Sequence, residues 1–109
     1  MDEAVERRIA ANEAILREVN EAIERGMWQG EQDSSSAFRC ECTRLHCNAL
    51  LPLSSRDYER VRAHPRRFVV ARGHQDVAAE SVVETHPGFV VVEKRGEAGR
   101  LAEVSDPRR

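Results

Sequence analysis

Apolar positions over the first 25 residues recur at helical spacing. Val5, Ile9, Asn12, Leu16, Val19 and Ile23 follow one another at intervals of 4, 3, 4, 3 and 4, a heptad seam with one polar member. Ile15 and Ala22 widen the stripe on one side. The pattern predicts one amphipathic helix over residues 2–25, capped by Asp2 and stopped at Gly26. A helix of about three heptads is marginal by itself in water, so it must pack on something. Three destinations are open: its own domain, a second copy of the chain, or a groove on a partner protein. Asn12 would set the register of a self-paired seam. The partner-binding positions on this helix are then Ile9, Asn12, Leu16, Val19 and Ile23.

The periodicity stops at GMWQGEQDSSSA, residues 26–37, whose Gly, Gln, Asp and Ser content reads as a linker. Trp28 stands out there as a candidate binding anchor. From Phe38 onwards short β-branched runs replace the helical spacing. Ser54 is a good N-cap for a helix over Ser55–Ala63, with Asp57 at its third position and Pro65 beyond its end. Strands are expected at Arg67–Ala71, Ser81–Thr85 and Phe89–Lys94, with turns at Arg72-Gly73-His74 and His86-Pro87-Gly88. A last strand, Leu101–Val104, is expected after a Gly96–Gly99 turn, and the Asp106–Arg109 tail should fray. The expected organisation is a helix (1–26), a linker (27–37), an α+β domain of short antiparallel strands and one helix (38–105), and a tail (106–109).

All three cysteines fall in Cys40-Glu41-Cys42-Thr43-Arg44-Leu45-His46-Cys47. Residues two apart on an extended chain point to one side, so Cys40 and Cys42 can converge on one ion. The four residues that follow let the chain double back and present Cys47. Three thiolates and one imidazole make a closed tetrahedral zinc site. His74, after Gly73 at a turn, is the favoured fourth ligand, and His46 inside the knuckle is the alternative. His64 and His86 each precede a proline and read as surface residues. Glu41 should point away from the ligands, on the opposite face of the strand. The competing readings are three reduced core cysteines, a Cys40–Cys42 redox couple, or an iron–sulfur cluster. Zinc would also support a domain poor in aromatic residues, which make up 5% of the chain.

Charge changes the picture less. The 109 residues carry a net charge of -2 and a mean hydropathy of -0.59, unlike a uniformly basic nucleic-acid binder. Residues 1–33 hold nine acids against four arginines, whereas residues 38–72 hold eight arginines against three acids. Arg56, Arg60, Arg66, Arg67 and Arg72 in that block are candidate phosphate contacts, if they are not simply solvated or paired internally. No apolar run reaches the roughly 20 residues of a membrane span, and MDEAVERRIA does not resemble a secretory signal. A cytoplasmic protein is therefore expected.

The order FRCEC-x4-C, followed by LPLSSRDYERVRAHPRRFVVARGH, resembles small uncharacterised bacterial proteins of actinobacterial type. In these a Cys-x-Cys-x4-Cys knuckle precedes a Tyr-Glu-x-Val-Arg helix and a Gly-His. The NEAILREVNEAIE segment resembles their leading helix. The resemblance implies that Cys40, Cys42, Cys47 and His74 belong to one pattern, and implies no activity. The chain lacks a Gly-rich phosphate loop, a GxSxG elbow and an HExxH motif, so an enzyme is not expected. The leading expectation is a zinc-stabilised protein-interaction or regulatory module with a docking or dimerising helix. The alternatives are phosphate-backbone binding through the arginine block, and a thiol redox sensor that releases zinc.

Overall fold

The computed structural model describes residues 3–28 and 30–108. They form α1 (Glu3–Arg25), β1 (Ser35–Arg39), β2 (Leu50–Ser54), α2 (Ser55–Arg62), β3 (Arg67–Val70), β4 (Glu80–Thr85), β5 (Val90–Lys94) and α3 (Gly96–Val104). The expected capping residue Asp2 and the terminal Arg109 lie outside the described residues. The class is α+β, with a long first helix and short antiparallel strands. No helix among the described residues is long and apolar enough to cross a membrane.

β1 and β2 pair antiparallel, from Ser35 with Ser54 to Arg39 with Leu50. Alternation sends Phe38, Leu51 and Leu53 inward and leaves Leu50 and Pro52 outside. β3, β4 and β5 make a second antiparallel sheet in the order β3-β5-β4. Val90, Val91 and Val92 are all buried in the central strand, so both faces of the sheet are covered there. The edge strand β4 carries a bulge between Val82 and Glu84, and Val82 and Val83 remain exposed. Phe38 of β1 stacks on Tyr58 of α2 with ring centroids 4.9 Å apart.

Helix α2 starts as its sequence implies: the Ser54 hydroxyl accepts a hydrogen bond from the Asp57 amide. Three expectations are corrected. Ser35, Ser36 and Ala37, assigned to the linker, form the first half of β1, because cross-strand pairing with β2 outweighs their polar composition. The segment expected to be a turn and a strand over 96–104 is helix α3. Gly99 there is a packing residue: an added Cβ would lie 2.4 Å from the Arg66 guanidinium and 2.9 Å from the Lys94 carbonyl. Gly96, at φ 55, redirects the chain from β5 into this helix. The tail is also held. Asp106 is buried and hydrogen-bonded by Arg62, and Arg108 donates to Glu21 at 2.7 Å and to Glu59 at 2.6 Å.

The face that α1 presents to the domain is polar. Its buried residues are Glu13, Arg17, Asn20 and Glu21, about a quarter turn from the centre of the heptad seam. Arg17 lies over the Phe68 ring, 3.6 Å from its centroid, and donates to the carbonyls of Pro65 and Arg67 at 2.8 and 2.7 Å. Arg62 bridges Glu21 to Asp106, joining α1, α2 and the tail. Gly26 accordingly ends α1 without a left-handed residue; its amide donates to Ala22 and Ile23. Of the seam, Ile9, Asn12, Leu16 and Ile23 are half-buried, and Val5 and Val19 are exposed.

Glu41 holds the centre of this arrangement. It is fully buried, and its Oε2 accepts from Asn20 at 2.9 Å and from the Tyr58 hydroxyl at 2.7 Å. Its Oε1 accepts from the Val69 amide at 3.1 Å, and its own amide donates to the Val69 carbonyl at 2.8 Å. A glutamine at position 41 would turn an amide NH2 towards groups that already donate. Glu41→Gln should therefore cost about 3 kcal/mol and Tyr58→Phe about 2 kcal/mol in chemical denaturation. Equal stability of all three proteins would exclude this central role.

A second buried carboxylate makes stability depend on pH. Desolvation raises Glu13 from 4.5 to about 7, against the pull of Lys94 and Arg17, while Glu80 adds to the rise. The folded chain therefore holds an extra proton between pH 4.5 and about 7, and stability falls as pH rises through that window. Glu13→Gln should remove this component. The stability difference between the variant and the native chain should grow by up to about 3 kcal/mol across the window, measured by urea denaturation at each pH.

Candidate metal centre

The hairpin β1–β2 and the loop after β3 build the site from two sides. Residues 40–49 connect the hairpin strands, and the Cys40 amide donates to the Ala49 carbonyl at 3.0 Å, extending the ladder by one rung. Cys40 and Cys42 are buried on one side of this stretch, while Glu41 points the opposite way, as strand alternation requires. The chain then reverses. The Cys47 amide donates to the Arg44 carbonyl at 3.4 Å, and His46 takes the left-handed conformation at φ 66. From the other side, Ala71-Arg72-Gly73-His74 closes a turn in which the His74 amide donates to the Ala71 carbonyl at 2.9 Å. Gly73 sits at φ 88, the positive value that a type II turn demands at its third residue. Arg44 donates to the Gly73 carbonyl at 3.1 Å and ties the two loops together.

One candidate ligand atom each from Cys40, Cys42, Cys47 and His74 lies within 4.8 Å of the others. His74 Nδ1 is 3.6 Å from Cys40 Sγ and 3.6 Å from Cys47 Sγ. Zinc bonds of about 2.3 Å to sulfur and 2.0–2.1 Å to nitrogen at tetrahedral angles give a sulfur-to-nitrogen edge of about 3.6 Å. The donor set and its spacing therefore suit zinc. Backbone amides surround the sulfurs: Ala71 donates to Cys40 Sγ at 3.1 Å, and Arg44 donates to Cys42. A hydrogen bond between the two thiols lowers Cys42 and raises Cys40, with burial adding to the rise at Cys40. The cluster thus favours a thiolate at Cys42, the form a metal requires.

The other predicted positions are distributed differently. His46 is exposed and outside the cluster, so His74 is the histidine brought to the cysteines. His64 is exposed, and His86 stacks on Phe89 with its Nε2 2.9 Å from Glu84. Four of the five candidate phosphate contacts are paired internally: Arg56 with Asp33, Arg60 with Glu84, Arg66 with Glu103 and Arg67 with Glu93. Arg72 is exposed and has no ion pair among the described residues. The basic block is therefore largely neutralised by acids from the chain's own flanks. Trp28 is 78% exposed beside the end of α1. What sequence reasoning missed is the role of Glu41, read only as facing away; its place between two converging cysteines was the available signal.

No protein-family model, curated protein or solved structure matches the chain. Of the likeness to small bacterial proteins, what the structure supports is the cluster with its Cys-x-Cys-x4-Cys spacing and the downstream histidine.

Two substitutions separate the loop residues. At Gly73 nothing lies within 4 Å of an added Cβ, so Gly73→Ala meets only backbone strain and should cost about 1–2 kcal/mol. His46→Gly relieves the same kind of strain and should leave metal stoichiometry unchanged. Thermal melts and metal analysis of both variants check this; loss of metal in His46→Gly would refute the assignment of His74.

Proposed function

We propose that this chain is a zinc-stabilised interaction module: one structural zinc holds the domain, and α1 offers its outward apolar stripe to a second copy of the chain. The observation that carries the zinc reading is the 3.6 Å separation of His74 Nδ1 from two cysteine sulfurs in a four-donor cluster. Four protein donors would fill a tetrahedral zinc and leave no position for a reactive water. That favours a structural role over hydrolysis. The ion would also add stability on the order of 10 kcal/mol to a small domain with few aromatic residues.

The association reading rests on α1. Because its polar side faces the domain, Val5, Ile15 and Val19 stay 37%, 58% and 41% exposed on the other side. Heptad spacing with one asparagine in the seam is the pattern of helices that pair with their own kind. A regulatory role follows from such a part when partner choice depends on an intact domain.

Native mass spectrometry of protein purified without added metal tests both halves. One zinc per chain is expected, lost or weakened in His74→Ala, together with a dimer. A chelator should lower the thermal midpoint, and zinc but not magnesium should restore it. Ile15→Asp with Val19→Asp should give a zinc-loaded monomer, since both positions are exposed and the change need not unfold the chain. Absence of zinc from freshly reduced protein overturns the metal reading. A zinc-loaded native chain that remains monomeric overturns the self-association reading.

A further inference from the structure

The three sulfurs of the cluster differ in what can reach them. Cys40 and Cys42 are 1% and 0% exposed, whereas Cys47 is half-buried at the end of a loop whose Arg44, Leu45 and His46 are exposed. A small oxidant arriving from solvent therefore meets the Cys47 sulfur first. The hairpin decides which thiol stands across from it. Its register runs from Ser35 with Ser54 to Arg39 with Leu50, and the Cys40 amide bonded to the Ala49 carbonyl continues it. Carried two residues further, the same register sets Cys42 opposite Cys47 across the turn at 43–46. Alternation agrees: Phe38, Cys40 and Cys42 enter the core from one strand, and Leu51, Ala49 and Cys47 pack there from the other. Cross-strand neighbours have Cα atoms about 4.5–5.5 Å apart, inside the range of about 4.4–6.8 Å that a disulfide spans.

The other pairings fit less well. Cys40 has Ala49, not a thiol, as its cross-strand neighbour. Cys40 and Cys42 lie two residues apart on an extended stretch, a Cα separation of about 6.7 Å at the far edge of the disulfide range. Glu41 between them is held at both carboxylate oxygens and at its amide, so the backbone cannot shorten that distance without breaking buried hydrogen bonds.

We infer that Cys42 and Cys47 form a peroxide-responsive disulfide switch on the cluster, with Cys47 as the attacking sulfur and Cys42 as the resolving one. The switch rests on the zinc reading proposed above and supplies its regulation. The Cys47 thiolate attacks one oxygen of hydrogen peroxide; an S–O bond forms, the O–O bond breaks and hydroxide leaves. The Cys42 thiolate then displaces a second hydroxide from the Cys47 sulfenic acid and the S–S bond forms. The two sulfurs give up two electrons, the peroxide takes them, and two protons from solvent turn both hydroxides into water. Zinc stays divalent. Two of its four donors are consumed, so the ion leaves Cys40 and His74 for solvent. A dithiol reverses the exchange and lets zinc return.

Titration of the full, reduced chain as purified with hydrogen peroxide tests the switch. A chromophoric chelator reads released zinc, and alkylation with peptide mapping by mass spectrometry locates free and paired thiols. One zinc should appear for every two thiols lost, with Cys42 joined to Cys47 inside one chain and Cys40 still alkylated. Dithiothreitol with zinc should restore the starting state. In Cys42→Ala, dimedone should label Cys47 as the trapped sulfenic acid; the map of the native chain stands whether or not this variant folds. Protein that carries no zinc as purified overturns the metal reading and the release with it, and the same map then shows separately whether the disulfide forms. Retention of zinc and of all three thiols at a peroxide dose that oxidises free cysteine overturns the switch. So does a disulfide that contains Cys40 or that joins two chains.

Discussion

The fold depends on one buried carboxylate. Glu41 receives hydrogen bonds from α1, α2 and β3 through Asn20, Tyr58 and Val69, so three elements distant in sequence meet at one side chain. A charge taken out of water is tolerated only when its lone pairs are filled, and here both oxygens accept. The same residue stands between Cys40 and Cys42. Holding its side chain on one face of the strand fixes both thiols on the other, so the interaction that closes the interior also aims the metal donors.

Ion pairs extend this logic to the first helix. Glu13 meets Lys94, Arg17 covers Phe68, and Glu21 meets Arg62 and Arg108. These pairings give up hydration, and the defined placement of their partners specifies how α1 docks more sharply than an apolar stripe does. The consequence lies on the outside. An amphipathic helix that packs by its charged side must leave apolar residues towards solvent, and Val5, Ile15 and Val19 are those residues. Packing on the chain's own domain, one of the three destinations open to the helix, half-buries Ile9, Asn12, Leu16 and Ile23 of the seam and leaves Val5 and Val19 exposed.

The remaining edges of the domain are closed by segments that look unpromising in isolation. The serine-rich approach to β1 becomes a paired strand, the glycine-rich stretch after β5 becomes α3, and the tail is held by Arg62 and Glu21. Residues of α1 and α3 line one cavity together with Phe68 and Lys94.

Much of the local structure was legible from sequence alone. The length of α1, the Ser54 cap, the turns at Gly73 and Pro87 and the convergence of Cys40 with Cys42 all follow from periods, caps and torsional preferences within a few residues. His74 was legible too, because a glycine turn is where a chain can bend towards an ion. What only the tertiary structure decided is which side of α1 is buried, whether 96–104 is helix or strand, and whether the tail is held. The reason is common to all three. Local period reports the apolar stripe, but Arg62 between Glu21 and Asp106, or Arg66 against Gly99, joins residues far apart in sequence. Such pairings have no local signature and are decided only when the whole chain competes for the same buried partners.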